Sequence, residues 1–373
     1  MTVPASAASG GTPASAASGG TPASAASGGV PASAASGGGA LLSVRDLRTY
    51  LATRHGVVRA VDGVTLTVNE AEVLGVVGES GCGKTVTCRT IMGLMPRKGT
   101  YSSGEVIYHP RGDANLLRLS QNQLQQLRGS HLAMIFQDPM TALNPVRTIG
   151  DQLLEAVTAH ARLPAKEAHE RAIGLLVRVG IPAPEQRMKD YPFQFSGGML
   201  QRALIAIALA SAPKLLLADE PTTSLDVIIQ DQILSLLLEL QRDTGMSMIL
   251  VSHDLAVITE VCDRIVVMYG GQIVEEGDSA TIITKPAHPY TRALLEALPQ
   301  GGERGQLRSI PGSPPSLINP PAGCRFAARC PFVTGECRSW DTELLAISGE
   351  GHRTRCLRHE EVGKIEWQAA DSV

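Results

Sequence analysis

The chain has 373 residues, 43% of them hydrophobic, and a formal net charge of −3, which allows a sizeable core and more than one domain. Nothing in that charge balance argues for a general nucleic-acid binder, and an aromatic content of 3% leaves little for base stacking. No run reaches the about 18 apolar residues a membrane-spanning helix needs; the most apolar stretch, Ala203–Ala210, lies between Arg202 and Lys214.

Residues 1–39 are low in complexity: PASAASGG begins at Pro4, Pro13, Pro22 and Pro31. Alanine, serine and glycine offer too little apolar surface to offset chain ordering, so the tract reads as a disordered tail. It lacks the basic start and apolar core of a secretory signal. The physiological start is expected near Ala40; a mature N-terminus at Thr2 would contradict that.

From Leu41 the composition is globular. Val73–Val77 (VLGVV) is an apolar run ending at glycine, the pattern of a buried strand, and Gly83–Leu94 reads as a helix. Leu132–Phe136, Lys214–Ala218, Met246–Val251 and Arg264–Met268 read as further buried strands, with a helix over Val227–Leu240. Strands alternating with helices predict an α/β domain with a largely parallel sheet over 40–280. The interval of about 138–212 predicts a helical insert. Residues 281–373, richer in proline and cysteine, are expected to form a separate small appendage.

Gly78-Glu79-Ser80-Gly81-Cys82-Gly83-Lys84-Thr85 satisfies G-x-x-x-x-G-K-[ST] at every fixed position, between a predicted strand and a predicted helix. Small residues let backbone N–H groups turn toward phosphate oxygens, and a helix N-terminus adds positive potential. Lys84 then reaches the β- and γ-phosphates, the Thr85 hydroxyl meets Mg²⁺, and Cys82 is a small filler. Leu215–Glu220 (LLLADE) is an apolar strand ending in two carboxylates. Asp219 is expected to bind Mg²⁺ and Glu220 to polarise the attacking water. His253 follows another apolar strand, and parallel strands end on the sheet edge where ligands bind.

Phe195-Ser196-Gly197-Gly198-Met199 resembles the signature of ABC transporter nucleotide-binding subunits, in the form familiar from peptide importers. Serine and both glycines are kept; the first and last positions depart from LSGGQ. The resemblance spans about 41–362. It implies a P-loop ABC ATPase domain, with a RecA-like parallel sheet core, an antiparallel β edge and a helical subdomain. It further implies that Ser196, Gly197 and Gly198 contact the γ-phosphate held by a partner subunit. By the same resemblance Gln137 touches Mg²⁺ and water, and Asp226, in Ser224-Leu225-Asp226, lies on the loop crossing the dimer interface. His253 holds the γ-phosphate, and Tyr50 packs against adenine. The nucleotide set is therefore Tyr50, Gly78, Glu79, Ser80, Gly81, Cys82, Gly83, Lys84, Thr85, Gln137, Ser196, Gly197, Gly198, Asp219 and Asp226. The catalytic set is Glu220, His253 and Gln137, and Thr85, Gln137 and Asp219 hold Mg²⁺.

Pro286–Leu295 (PAHPYTRALL) resembles the C-terminal extension of oligopeptide, dipeptide and nickel importer ATPases; from its residues alone it is a proline-bounded turn entering a helix. The implied assembly is a peripheral motor on the cytoplasmic face of the inner membrane. Its partners are a second, related ATPase subunit, two transmembrane permease subunits and an extracytoplasmic peptide-binding protein, without nucleic acid. Nickel import is the alternative. A soluble DNA-acting ABC ATPase would carry two modules, and an inactive regulator would lack Lys84, Asp219, Glu220 or His253.

Four cysteines, Cys324, Cys330, Cys337 and Cys356, read C-x5-C-x6-C-x18-C. The spacing is neither a zinc ribbon nor a ferredoxin pattern and reads as an unspecified metal site. The resemblance implies a 4Fe-4S cluster on these four. Arg325, Arg329, Arg338, Arg353, Arg355 and Arg358 are expected to lower the thiol pKa values. His352 and His359 read as surface residues or substitute ligands.

Overall fold

The computed structural model describes residues 39–223, 225–298, 310–340, 343–348 and 351–363; the expected tail, up to residue 38, and Ser224 lie outside them. In chain order, β1 (Ala40–Thr53), β2 (Gly56–Asn69), β3 (Val73–Val77), α1 (Lys84–Ile91), β4 (Thr100–Tyr108), β5 (Ala114–Asn115), α2 (Gln121–Leu127) and β6 (Leu132–Ile135) come first. The helices α3 (Pro139–Ala142), α4 (Ile149–Thr158), α5 (Ala165–Arg178), α6 (Pro184–Arg187) and α7 (Gly197–Leu209) follow. Then come β7 (Leu215–Asp219), α8 (Val227–Thr244), β8 (Ser247–Ser252), α9 (Leu255–Val261), β9 (Arg264–Tyr269) and β10 (Gln272–Asp278). The chain closes with α10 (Ser279–Thr284), α11 (Pro289–Glu296), α12 (Gly335–Ser339), β11 (Leu345–Ser348) and β12 (His352–Thr354).

Two sheets organise the molecule. The smaller is antiparallel, in the order β2-β1-β4-β5; the larger runs β11-β12-β10-β9-β3-β8-β7-β6. From β9 to β6 the large sheet is parallel, and every residue of β3, β7 and β8 is buried. The two-residue alternation of a strand sorts these side chains onto opposite faces. Val73, Val77, Leu216, Ala218, Met248 and Leu250 join the core shared with α4, α5, α7 and α8. Leu74, Val76, Leu215, Leu217, Ile249 and Val251 face a second core, closed by β1, β2 and β4. Apolar runs without polar alternation read as buried strands for this reason, and all five strands expected in this sheet are present.

Between β6 and β7, residues 136–214 hold helices and no strand. Thr148 caps α4 by accepting from Asp151 N at 3.0 Å. Gly245, at φ 64°, closes α8 in the left-handed conformation typical after a helix.

The C-terminal residues are not a separate appendage. β12 pairs antiparallel with β10, Glu275 opposite Thr354 and Glu276 opposite Arg353, and so extends the large sheet. The buried Glu275 carboxylate accepts from Ala287 N at 2.7 Å, His288 N at 2.9 Å and His352 Nε2 at 2.9 Å. His352 is therefore a buried partner of Glu275, contrary to its expected surface position. Tyr290 and Phe326 pack against Tyr269 of β9, with ring centroids 4.5 and 5.3 Å away.

Candidate nucleotide site

Residues 78–83 turn the chain from β3 into α1. Gly78, Gly81 and Gly83 have φ values of 159°, 79° and 109°. A Cβ on Gly78 would strike Met268 O, and one on Gly83 would strike Ala60 O. These two glycines are required for space as well as for backbone freedom. Cys82 is buried in the loop, 3.9 Å from Lys84 Nζ. Lys84 is itself buried and donates to Gly78 O at 2.6 Å and Glu79 O at 3.1 Å.

Parallel pairing of β3 with β8 and of β8 with β7 brings their C-terminal ends to one edge beside this loop. There Thr85 Oγ1 donates to Asp219 Oδ1 at 2.9 Å. Burial pushes the Asp219 pKa up, and its Oδ2 is buried with no hydrogen-bond partner within the protein. A buried carboxylate oxygen beside a hydroxyl is a hard-oxygen donor set that suits Mg²⁺.

Glu220 adopts φ 48°, a left-handed conformation that costs a residue with a Cβ about 1–3 kcal/mol and persists when its surroundings over-determine it. Those surroundings are visible. Its N–H donates to Val251 O at 3.0 Å, tying the end of β7 to β8. Oε2 accepts from Gln137 Nε2 at 3.0 Å and from Thr223 Oγ1 at 2.9 Å, and lies 3.4 Å from His253 Nδ1. Oε1 stands 3.7 Å from Lys84 Nζ. Gln137, Thr223, His253 and Lys84 thus converge on the Glu220 carboxylate.

Other sequence-selected residues serve elsewhere among the described residues. Ser196 Oγ caps α7 by accepting from Met199 N at 3.3 Å. Cβ positions built on Gly197 and Gly198 approach Leu225 and Ile229 at 3.5 and 2.9 Å, so the signature turn packs against the start of α8. Asp226 caps α8 by accepting from Ile229 N at 3.0 Å. Tyr50 Oη donates to Asp62 Oδ1 at 2.6 Å, and the Arg59 guanidinium lies 5.7 Å from its ring centroid. Burial raises the Asp62 pKa, but the Tyr50 hydrogen bond, Arg325 and Arg48 outweigh it and hold the carboxyl below its ordinary value.

Sequence reasoning missed how far the extension reaches this site. Arg329 donates to both carboxylate oxygens of Glu79, at 2.8 and 3.0 Å. Tyr290 Oη accepts from Glu79 N at 2.8 Å, and Arg325 pairs with Asp62. The arginines stood out only as positive charge near cysteines, and Tyr290 only within a segment known by resemblance.

Cys324, Cys330, Cys337 and Cys356 line one cavity together with Phe326, Phe332 and Trp340. All four are free thiols, and Thr334 Oγ1 lies 3.3 Å from Cys337 Sγ. Burial raises the pKa of Cys324 and pushes Cys330 and Cys356 up to about 12. This reverses the expected lowering: burial outweighs the lowering by Arg355 at Cys324 and by Arg358 at Cys330, and Arg325 and Arg329 are engaged by Asp62 and Glu79. Cysteine sulphurs suit a soft metal group by donor type. Among the described residues, however, no three His, Cys, Asp or Glu side chains are gathered as in a metal-ion site.

Residues 61–223 match the family model "ABC transporter", and residues 274–337 match "Oligopeptide/dipeptide transporter, C-terminal region". The "Probable peptide ABC transporter ATP-binding protein" of Sinorhizobium fredii is 48% identical over 86% of this chain and 96% of its own length. The "Dipeptide transport ATP-binding protein DppD" of Haemophilus influenzae is 45% identical over 89% of this chain and 100% of its own. The chain belongs to the ABC transporter ATP-binding proteins of the peptide-transport type. It is an ATPase, and ATP with Mg²⁺ is the ligand pair expected of it. A solved ATP-binding cassette dimer, in a post-hydrolysis state bound to ADP and Pi, superposes with a TM-score of 0.57. It is 26% identical and covers 64% of this chain and 98% of its own. No helix among the described residues is long and apolar enough to cross a membrane.

Proposed function

We propose that this chain is the ATP-hydrolysing motor of a peptide importer, working at the cytoplasmic face of the inner membrane. The observation that carries the reading is the extension: residues 274–337 match the oligopeptide/dipeptide region, and the extension contacts the nucleotide loop through Tyr290 and Arg329.

The geometry supports the following residue roles. Lys84 would bind the β- and γ-phosphates in place of the loop carbonyls, and Thr85, Asp219 and Gln137 would hold Mg²⁺, which would supply charge neutralisation at the phosphates. Glu220 orients the attacking water and draws on its proton; Gln137 and Thr223 fix its carboxylate, and His253 binds the γ-phosphate. Tyr50 offers a ring to adenine. Ser196, Gly197 and Gly198 open a 13-residue helix whose N-terminus suits an anion presented by a partner. One chain carries one cradle and one signature, so the working site needs a second, related ATPase subunit. Val227 and Ile228, exposed beside Asp226, suit that interface. Met140, Val146 and the stacked pair Tyr191 and Phe193 are exposed on the helical insert and suit two permease subunits. An extracytoplasmic binding protein would deliver the peptide.

The four cysteines would hold an iron–sulphur group, which supplies electron transfer or a rigid cross-link. Iron and acid-labile sulphide near four per chain after anaerobic purification are expected; zinc or free thiols in their place would contradict this. Uptake of labelled dipeptides, a pentapeptide and nickel in a deletion strain tests the substrate class. Loss of peptide uptake alone is expected, and loss of nickel uptake alone would reassign the importer.

A further inference from the structure

Glu79 is the first residue after Gly78 in the phosphate cradle, and the extension holds it twice. Its carboxylate takes two parallel N–H bonds from Arg329, and its backbone N–H is taken by Tyr290 Oη. A bidentate guanidinium–carboxylate pair fixes direction as well as distance. Arg329 itself has little freedom. Nε donates to Pro311 O at 2.8 Å, Nη2 to Ile310 O at 3.2 Å and Nη1 to Tyr269 Oη at 3.2 Å. Its guanidinium carbon lies 5.8 and 5.9 Å from the ring centroids of Tyr269 and Phe326. Tyr290 is fully buried against the same two rings.

The turn that carries Arg329 also carries Arg325, closed by Ala327 N to Cys324 O at 3.1 Å and Arg329 N to Phe326 O at 2.9 Å. Arg325 is buried, pairs with Asp62 and donates to Gly270 O. Asp62 is the acceptor of the Tyr50 hydroxyl. Gly271, next to that carbonyl, donates to Cys82 O at 2.9 Å. One turn of the extension therefore supports the phosphate loop at Glu79 and Cys82, and the Tyr50–Asp62 pair as well.

We propose that Arg329 is a positioning residue for ATP. By fixing Glu79 it sets the phosphate loop so that the amides leading into α1 face the phosphates, and it touches no nucleotide itself. The proposal rests on residues 78–85 binding ATP. It makes the extension a part of the nucleotide site as well as a mark of transporter type.

MgATP titrations of the full-length chain test it, with wild type, Arg329→Lys, Arg329→Met, Glu79→Gln and the double variant Glu79→Gln/Arg329→Met. The unfolding temperature of each is measured without nucleotide. Arg329→Met should raise the MgATP Kd about tenfold or more, as a misplaced cradle would. Arg329→Lys, which keeps one charged donor, should recover part of the loss. The double variant should bind no more weakly than the worse single variant, because both remove one contact. A Kd within twofold of wild type for Arg329→Met, or losses that multiply in the double variant, overturns the proposal. A fall in unfolding temperature with no change in Kd makes the arginine merely structural and overturns it too. If Arg329→Met does not fold, Glu79→Gln carries the test: weaker binding supports the proposal and unchanged binding overturns it. A wild-type chain that binds no MgATP would overturn the reading of the cradle itself, a distinct result.

Discussion

Two carboxylates at the end of β7 behave differently because their surroundings differ. Asp219 lies in the sheet, where burial favours its neutral form and one oxygen finds no partner within the protein. Glu220 is turned out by its left-handed backbone into a ring of donors. A cation at the Asp219 oxygen would offset the burial cost; Asp219→Ala should then abolish the Mg²⁺ dependence of ATP binding, read by titrating ATP with and without Mg²⁺. His288 is a second residue whose chemistry is set by burial, which brings its pKa down to about 3. Its Nδ1 accepts from Tyr290 N at 3.0 Å, so the ring is neutral when folded. The unfolded chain binds a proton near the ordinary value of 6.5, so between that pH and about 3 the unfolded state holds more protons. Stability is then lost as pH falls below 6.5, at up to about 1.4 kcal/mol per pH unit. His288→Asn can keep the cap bond and should remove that part of the acid slope in urea unfolding; an unchanged slope would clear His288 of the role.

At the scale of elements, the parallel strands and the phosphate loop were legible because their signals are local: apolar runs of five or six residues, and a glycine pattern between a strand and a helix. Gln137 and His253 were picked out only through the family resemblance, and their meeting at Glu220 was not legible, since Gln137 and Glu220 are 83 positions apart. The docking of the extension was not legible at all. β12 has three residues and no periodicity to read, and Arg329 meets Glu79 across 250 positions. What joins β12, α11 and β10 is Glu275, a buried carboxylate with three donors. Glu275→Ala would leave two amides and His352 without it and should cost about 3–5 kcal/mol, measured by chemical unfolding. Glu275→Gln, which can still accept, should cost less; equal losses would mean that packing, and not the hydrogen bonds, holds the extension.

Over the whole molecule, a parallel sheet presents Lys84, Asp219, Glu220 and His253 at one edge, a helical insert carries exposed apolar side chains, and the C-terminal extension is built into the sheet and the phosphate loop. On the proposed reading the chemistry falls to Glu220 and solute choice to partner subunits. The most direct measurement is peptide uptake and ATP turnover in the reconstituted transporter carrying Glu220→Gln in this subunit. The account predicts MgATP binding within a few-fold of wild type, with turnover and uptake reduced about a hundredfold or more. Wild-type turnover and uptake in that variant would contradict it.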